Sequence, residues 1–331
     1  MTEQITDRPL GRVLVTGAGG FIGSHLVEAL VGEGADVKAM VHYNALGSKG
    51  WLDSSEAVRD VEVLAGDIQD GDFVRRAVAG CDTILHLAAL IGIPYSYVAP
   101  RSYVRTNVEG TLNILEAARD CGVSRIIQTS TSETYGTALR VPIDEDHPMQ
   151  GQSPYSASKI AADKMCEAYI KSFELPVVIL RPFNTFGPRQ SLRAVIPTII
   201  SQAVSGAEVR IGNLTPTRDL TFVSDTVAGF LRAAKTSGVD GETINLGTGR
   251  EISIGDLAVL IGKRVGRELD LISEQNRLRP EASEVERLLS DNTKAKNLLH
   301  WAPQVSLEEG LDRTIAWVKD QGGLNGSGYV V

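Results

Sequence analysis

The chain reads as an α/β protein, a doubly wound parallel Rossmann sheet joined to a smaller, discontinuous α/β substrate-binding lobe. Two observations predict this. Residues 11–26 run GRVLVTGAGGFIGSHL, an apolar strand that stops on glycines and resumes as an apolar-periodic helix. Beyond it, short aliphatic runs recur with helical patterns between them, the alternation of βαβ units.

In the first unit Val13, Leu14 and Val15 lead into Thr16, then Gly17, Gly19, Gly20 and Gly23. A strand ending this way leaves backbone N–H groups directed outward at the positive end of a helix, where a pyrophosphate can sit. Gly17 permits the turn, Gly20 lets a ligand approach the backbone before Phe21 and Ile22, and Gly23 lets helix pack on strand. The bland alternative is a glycine-rich turn without a ligand. The preceding strand, at the start of the chain, favours the dinucleotide site.

The second strand spans 35–42. Folds that prefer NAD usually place Asp or Glu about 20 residues past the glycines to hold the ribose hydroxyls. Here the chain has Val41, His42, Tyr43 and Asn44. No carboxylate repels a 2′-phosphate and no arginine attracts one, so NAD is the expected cofactor and NADP stays open.

Further strands are predicted at 61–64, 83–87, 125–129 and 177–180, with helices at 72–79, 106–121 and 154–173. From Asn184 the pattern changes. A Pro/Gly-interrupted loop precedes a helix at 194–205, and a polar segment at 215–225 runs into a helix carrying 228–234. A strand at 243–246 and helices at 254–265 and 306–318 complete the set, and the glycine-rich end reads as a flexible tail. Ligands in such sheets collect at the carboxyl ends of strands, where the polar clusters of this chain fall.

Composition narrows the function. The net charge is −8, with no long basic run, which disfavours a nucleic-acid partner. No apolar run approaches the roughly 18 residues of a membrane span, and the polar start lacks a signal-peptide core, so a cytoplasmic protein is expected. Cys81, Cys121 and Cys166 lack metal-ligand spacing and read as reduced thiols. His25, His86 and His300 do not cluster, so no metal site is expected.

A second constellation is Ser130-Thr131-Ser132-Glu133 at the end of the 125–129 strand, followed by Tyr155 and Lys159. Tyr155 and Lys159 are four apart on a predicted helix and share a face. A tyrosine near pKa 10 is a poor base at neutral pH. A neighbouring ammonium and an oxidised nicotinamide favour the phenolate, which then deprotonates a sugar hydroxyl while hydride leaves its carbon. Alone, Tyr-x-x-x-Lys is as well explained by a solvated helix face.

Its company changes that. Gly17-x-x-Gly20-x-x-Gly23, His86-Leu87-Ala88-Ala89, Asn107-x-x-Gly110-Thr111, the Thr-Ser-Glu strand end, Tyr155-x-x-x-Lys159, Arg181-Pro182-Phe183-Asn184 and Arg218-Asp219-x-x-x-Val223-x-Asp225 stand in an order and spacing that resemble extended short-chain dehydrogenase/reductases acting on nucleotide sugars. The resemblance covers about residues 11–319. It implies a cofactor site of Gly17, Gly20, Phe21, Ile22, Gly23, His42, Asp67, Ile68, Leu87, Ala88, Ala89, Asn107, Thr129, Tyr155, Lys159 and Pro182, with Asp67 and Ile68 flanking the adenine. It also implies a homodimer through a four-helix interface built from the 106–121 and 154–173 helices. Residues 10–184 plus about 218–247 form the dinucleotide-binding domain, about 185–217 plus 248–320 the sugar-nucleotide lobe, and 321–331 the tail.

The residues before Tyr135-Gly136 bear on the reaction. Epimerases of the family generally carry small residues where this chain has Glu133, whereas GDP-mannose 4,6-dehydratases and UDP-glucuronate decarboxylases carry Thr-Ser-Glu. Once C4 is a ketone the C5 hydrogen is acidic, and Glu133 can remove it and help the C6 hydroxyl leave as water. Ser132 stands where the dTDP-glucose enzymes carry an aspartate acid. The segment from Arg279 to Asp291 resembles that of GDP-mannose dehydratases with two residues inserted. The IGIPYSY run that holds Ser96, with TPTRD, Arg189-Gln190 and Arg-Pro-Glu, resembles nucleotide-GlcNAc 4,6-dehydratases of legionaminic-acid-type pathways. The expected function is therefore NAD(P)-dependent 4,6-dehydration of a nucleotide-diphosphate hexose, by Thr131, Ser132, Glu133, Tyr155 and Lys159. C4 epimerisation, uronate decarboxylation and a catalytically silent dinucleotide-binding sensor or scaffold are the alternatives.

The diphosphate needs cations, and Arg218 and Arg279 are the first candidates, with Arg189, Arg193 and Arg287 behind them, because a guanidinium grips phosphate bidentately. Asn184 is expected to donate to pyrophosphate or sugar, and Ser96 to touch substrate. Asp219 and Asp225 read as scaffold, Asp219 paired with a neighbour and Asp225 capping the helix after it.

Overall fold

The structure, a computed structural model, describes residues 7–322. Of the expected tail, 321–322 form a turn, and the rest lies outside the described residues.

Seven strands make one parallel sheet: β1 (Arg12–Thr16), β2 (Asp36–His42), β3 (Val61–Gly66), β4 (Thr83–His86), β5 (Arg125–Thr129), β6 (Val177–Pro182) and, late in the chain, β11 (Thr243–Leu246). Their order is β11-β6-β5-β4-β1-β2-β3. The order reverses between β1 and β4, so the connections leaving their carboxyl ends diverge and open a crevice, the place where doubly wound sheets take ligands.

Alternation along each strand feeds two cores. Val13 and Val15 face one side, with Leu85, Ile127 and Val178; Leu14 faces the other, with Ile84, Ile126 and Val177. The second side is covered by α2 (Gly71–Val78), α5 (Gly110–Cys121) and α6 (Pro154–Phe173). The first is covered by α1 (Phe21–Gly32), and by α8 (Val223–Lys235), which packs on it. Strands buried on both faces carry near-continuous apolar runs, which is why they were readable.

Between the central strands lie α3 (Ile93–Val98), α4 (Pro100–Tyr103) and a π-helical stretch at Val104–Glu109 that runs into α5. The remaining lobe holds β7 (Thr185–Phe186), β8 (Glu208–Ile211), β9 (Thr217–Asp219), β10 (Thr221–Phe222), β12 (Glu251–Ser253) and β13 (Asp270–Ser273). With them are α7 (Val195–Ser205), α9 (Ile254–Val265), α10 (Thr293–Leu299) and α11 (Leu307–Asp320). Its pairs are β7 with β10 and β8 with β13, both parallel, and β9 with β12, antiparallel. Among the described residues no helix is long and apolar enough to cross a membrane.

One capping expectation is corrected here. α8 starts at Val223 with Phe222 as its cap, so Asp225 lies inside the first turn. Its carboxylate instead accepts the Val305 N–H at 3.0 Å, while its carbonyl takes the Trp301 indole N–H at 2.9 Å. It fastens the segment leading into α11. Asp219 is scaffold as expected, but among the described residues no cation pairs with it. It accepts the backbone N–H groups of Thr248, Gly249 and Ser290 and the Thr248 hydroxyl.

Candidate functional site

The glycine turn has the geometry of an anion cradle. Gly17 sits at φ +68°, and a Cβ there would lie 2.9 Å from Ala88 N, so the first and fourth strand ends meet at backbone distance. At Gly23 a Cβ would lie 2.2 Å from Gly17 O, which forbids any side chain where α1 crosses the turn. α1 begins at Gly20 with no side-chain cap and no acidic residue in its first turn. Its open N–H groups are left for a ligand. A Gly23→Ala change is expected to cost about 1–3 kcal/mol by overpacking and to weaken dinucleotide binding, checked by denaturant unfolding and ligand titration.

Behind the cradle Thr16 and His86 face each other in register across β1 and β4. The Thr111 hydroxyl donates to Asn107 O at 2.7 Å, so its oxygen accepts from His86 Nε2 at 3.2 Å. His86 Nδ1 then accepts the Thr16 hydroxyl at 2.8 Å, and the Thr16 oxygen takes the N–H groups of Leu87 and Ala88. The imidazole is neutral, with burial, and then the Lys159 charge, pushing its pKa down to about 3. The unfolded chain takes up a proton near 6.5 that the folded chain refuses until about 3. Stability is therefore full above 6.5 and falls with pH inside that window, by at most about 2 kcal/mol between pH 7 and pH 5. Denaturation at the two pH values should show a smaller drop for His86→Gln.

Beyond His86, Leu87, Ala88 and Ala89 are half-buried at the crevice. His42 is exposed at the end of β2, and Asp67 and Ile68 follow β3, with Asp67 accepting the Gln69 N–H at 2.9 Å. Asn107, expected to lie in the cofactor site, is buried and spends its amide on the protein. Its Oδ1 accepts Leu90 N, and its Nδ2 donates to Leu90 O and Ser158 Oγ. The π-helical stretch turns this amide toward the loop after β4. The expectation for Ser96 is corrected. It is fully buried, and its hydroxyl donates to Ile93 O at 2.6 Å inside α3, so it does not face a substrate.

The end of β5 turns into a short 3₁₀ segment, Ser132–Tyr135, capped by the Thr131 hydroxyl. The turn buries Ser132 and Glu133. Among the described residues no hydrogen bond or ion pair engages the Glu133 carboxylate. α6 starts on a Ser153–Ser156 capping box with Pro154 in its first turn, which fixes Tyr155 beside this strand end. The phenol stands beside the Thr131 side chain. Its ring meets Tyr103 edge-on, centroids 6.2 Å apart, and a cavity of about 300 Å³ opens past Tyr103, bounded by residues 89–92, Tyr95 and Arg193.

The expected pairing of ammonium and phenol differs from what is seen. Lys159 Nζ donates to Thr129 O at 2.6 Å. Burial holds the Tyr155 phenol above its ordinary range, with Glu133, Tyr103 and Asp163 adding to the rise and the Thr131 side chain opposing it. Lys159 itself is pushed down by burial. Sharing a helix face thus brought both residues to one strand end without bringing the charge onto the phenol, because a backbone carbonyl stands closer to hand.

The arginines separate into two groups. Arg218 and Arg279 both reach Glu284 Oε1, each at 3.4 Å. Arg218 is buried, and Arg279 Nη1, the nitrogen that faces Glu284, is buried and makes no hydrogen bond among the described residues. Glu133 and Glu286 also act on Arg218, so the two guanidinium groups sit among carboxylates close to the β5 end. Arg189 lies elsewhere, at φ +72°, on α1, where it pairs with Glu28 at 2.8 Å and donates to Ser24 Oγ. Arg287 is tied to Glu251 at the surface, and Arg193 is exposed at the cavity rim. Asn184 Oδ1 and Thr129 Oγ1 are buried without partners. Pro182 ends β6 between them and the sheet edge.

Thr16 and Thr111 were named in motifs without a role, and Asp163 and Glu284 were given none. Asp163 had a readable signal, since it follows Lys159 by four residues on one helix.

A family model described as GDP-mannose 4,6 dehydratase matches residues 14–314. The chain is 35% identical to the UDP-glucose 4-epimerase of Mycolicibacterium smegmatis, over 94% of this chain and 99% of that one. It is 36% identical to the dTDP-glucose 4,6-dehydratase of Streptomyces griseus, over 92% and 93%. Among solved structures, the dTDP-glucose 4,6-dehydratase of Streptomyces venezuelae with NAD bound superposes with a TM-score of 0.85 at 29% identity, covering 94% of this chain and 98% of that one.

Proposed function

The chain belongs to the GDP-mannose 4,6-dehydratase family of nucleotide-sugar dehydratases and epimerases, and from that premise we propose that it removes water across C5 and C6 of a nucleotide-diphosphate hexose. The observation that carries this reading is Glu133, a buried carboxylate with no partner among the described residues, at the strand end where Tyr155 is fixed. An epimerase has no use for a base there.

The cradle fits NAD. Gly17, Gly20, Phe21, Ile22 and Gly23 would hold its pyrophosphate, Asp67 and Ile68 its adenine, and His42, Leu87–Ala89, Thr129 and Pro182 the remainder. When bound, NAD supplies a hydride acceptor for the sugar and later a donor. Tyr155 takes the proton of the C4 hydroxyl, Thr131 orients the phenol, and Lys159, on the same helix face, would hold the ribose of the cofactor. Glu133 removes the C5 proton, acidified by the C4 carbonyl, and gives it to the departing C6 hydroxyl. Water leaves and the carboxylate is restored. Neighbouring Ser132 lines the same turn.

Arg218 and Arg279 take the diphosphate, with Arg193 at the cavity mouth. Asn184 Oδ1, an acceptor without a donor, suits a sugar hydroxyl. Within this reading the hexose is GlcNAc on UDP or GDP, supported by the IGIPYSY, TPTRD and Arg-Pro-Glu segments. The active unit is a homodimer through α5 and α6, which size-exclusion chromatography tests.

The deciding experiment incubates the protein with UDP-, GDP- and dTDP-hexoses and weighs the products. Loss of one water supports the proposal. An unchanged mass with inverted C4, or loss of carbon dioxide from a uronate, sinks it.

A further inference from the structure

Tyr155, Lys159 and Asp163 stand four residues apart on α6, each one turn along from the last. The proposed reaction uses the first two and leaves the third without a role. Asp163 is fully buried. Its Oδ2 accepts from Ser130 Oγ at 2.7 Å and from Arg181 Nη2 and Nε at 3.0 and 3.2 Å, while its Oδ1 has no donor. Arg181 also donates to the Tyr135 hydroxyl at 2.9 Å, which donates to Asn245 Oδ1 at 2.8 Å.

With side chains 2% and 0% exposed, this is the most deeply buried ion pair among the described residues. Such pairs add little to stability, and apolar residues of equal volume often serve as well. Location offers a better reason for it. Ser130 directly precedes Thr131 at the end of β5, Arg181 directly precedes Pro182 at the end of β6, and Asp163 joins both to the helix of Tyr155 and Lys159.

We propose that Asp163 and Arg181 are positioning residues that keep Lys159 charged and lock the ends of β5 and β6 against α6. This rests on the role given to Lys159 above, but not on which sugar reacts. Lys159 is buried with one hydrogen-bond acceptor, Thr129 O, among the described residues. The groups that act on it or feel its charge are Asp163 and Cys166 on its own helix and His86 at the end of β4. Burial holds the Cys166 thiol protonated and His86 neutral, so Asp163 is the anion of the set. Asp163 is itself drawn upward by burial, and Arg181 leads the groups that oppose the rise. Tyr155 faces Thr131 and Glu133 from the β5 end, Tyr103 from α4 and Asp163 on α6. Arg181 thus favours the ionised form of Asp163, and Asp163 in turn favours the charged form of Lys159.

The test follows the Lys159 side chain by NMR in carbon-13-lysine protein, its signal assigned by its loss in Lys159→Arg. Asp163→Asn should lower the titration midpoint by about one pH unit or more, and Asp163→Glu should restore it. The alkaline limb of kcat should move down with it. The double variant Asp163→Leu/Arg181→Met removes both members of the ion pair, so neither is left stranded by the loss of the other, and it should show the lowered midpoint and a kcat reduced at least about tenfold. A wild-type midpoint in either charge-removing variant, or full activity in the double variant, overturns the proposal. If the dehydration reading alone is wrong, the NMR shift still stands.

Discussion

Glu133→Gln will oxidise its substrate at C4 and go no further. The amide cannot take the C5 proton, so water loss should fall by about 10²–10⁴-fold, the range general-base removal usually covers. Reduced cofactor should accumulate on the enzyme, and quenched reactions should contain a sugar two hydrogens lighter than the substrate instead of one short of a water. Stability should change far less than activity, by about 1 kcal/mol, because the amide keeps the shape of a carboxylate that has no hydrogen bond or ion pair among the described residues. That separation of effects matters. A buried carboxylate serving as scaffold would leave donors stranded when neutralised, and the variant would unfold more easily while its chemistry stayed intact. Full turnover by Glu133→Gln removes the residue from the mechanism.

What could be read in advance divides along a physical line. The seven-stranded sheet was legible because both its faces are buried, which forces aliphatic runs such as Val13–Val15 and Arg125–Thr129. The glycines were legible because Gly17 and Gly23 stand where a Cβ meets backbone. Strands β8 and β13 were not, since each pairs at the surface of the small lobe and carries charge, as EVRI and DLIS do. α10, with seven residues and two lysines, offers too short a period to detect. At the site, spacing placed Tyr155 and Lys159 on one face but could not say which acceptor the ammonium would choose. Nor could it reveal that Ser96 and Asn107 use their polar atoms on their own backbone surroundings. Hydrogen-bond satisfaction is a property of the packed chain, not of a motif.

Tyr155→Phe should abolish the first step rather than the second. The phenyl ring keeps the edge-on contact with Tyr103 and loses only the hydroxyl beside Thr131, so the fold should persist. Chemistry has no substitute for the hydroxyl. Glu133 is placed for C5, and the Lys159 ammonium has no lone pair to accept a proton. Turnover should therefore fall by about 10²–10⁴-fold, with neither reduced cofactor nor oxidised sugar accumulating, the opposite of Glu133→Gln. The wild-type enzyme adds a sign test. Burial holds the phenol above its ordinary range, and the reactive form is the phenolate, so single-turnover C4 oxidation should speed up as pH rises from neutral into the alkaline range. If the phenol acted only as a neutral hydrogen-bond donor, the rate would be flat there, and Tyr155→Phe would lose binding rather than turnover.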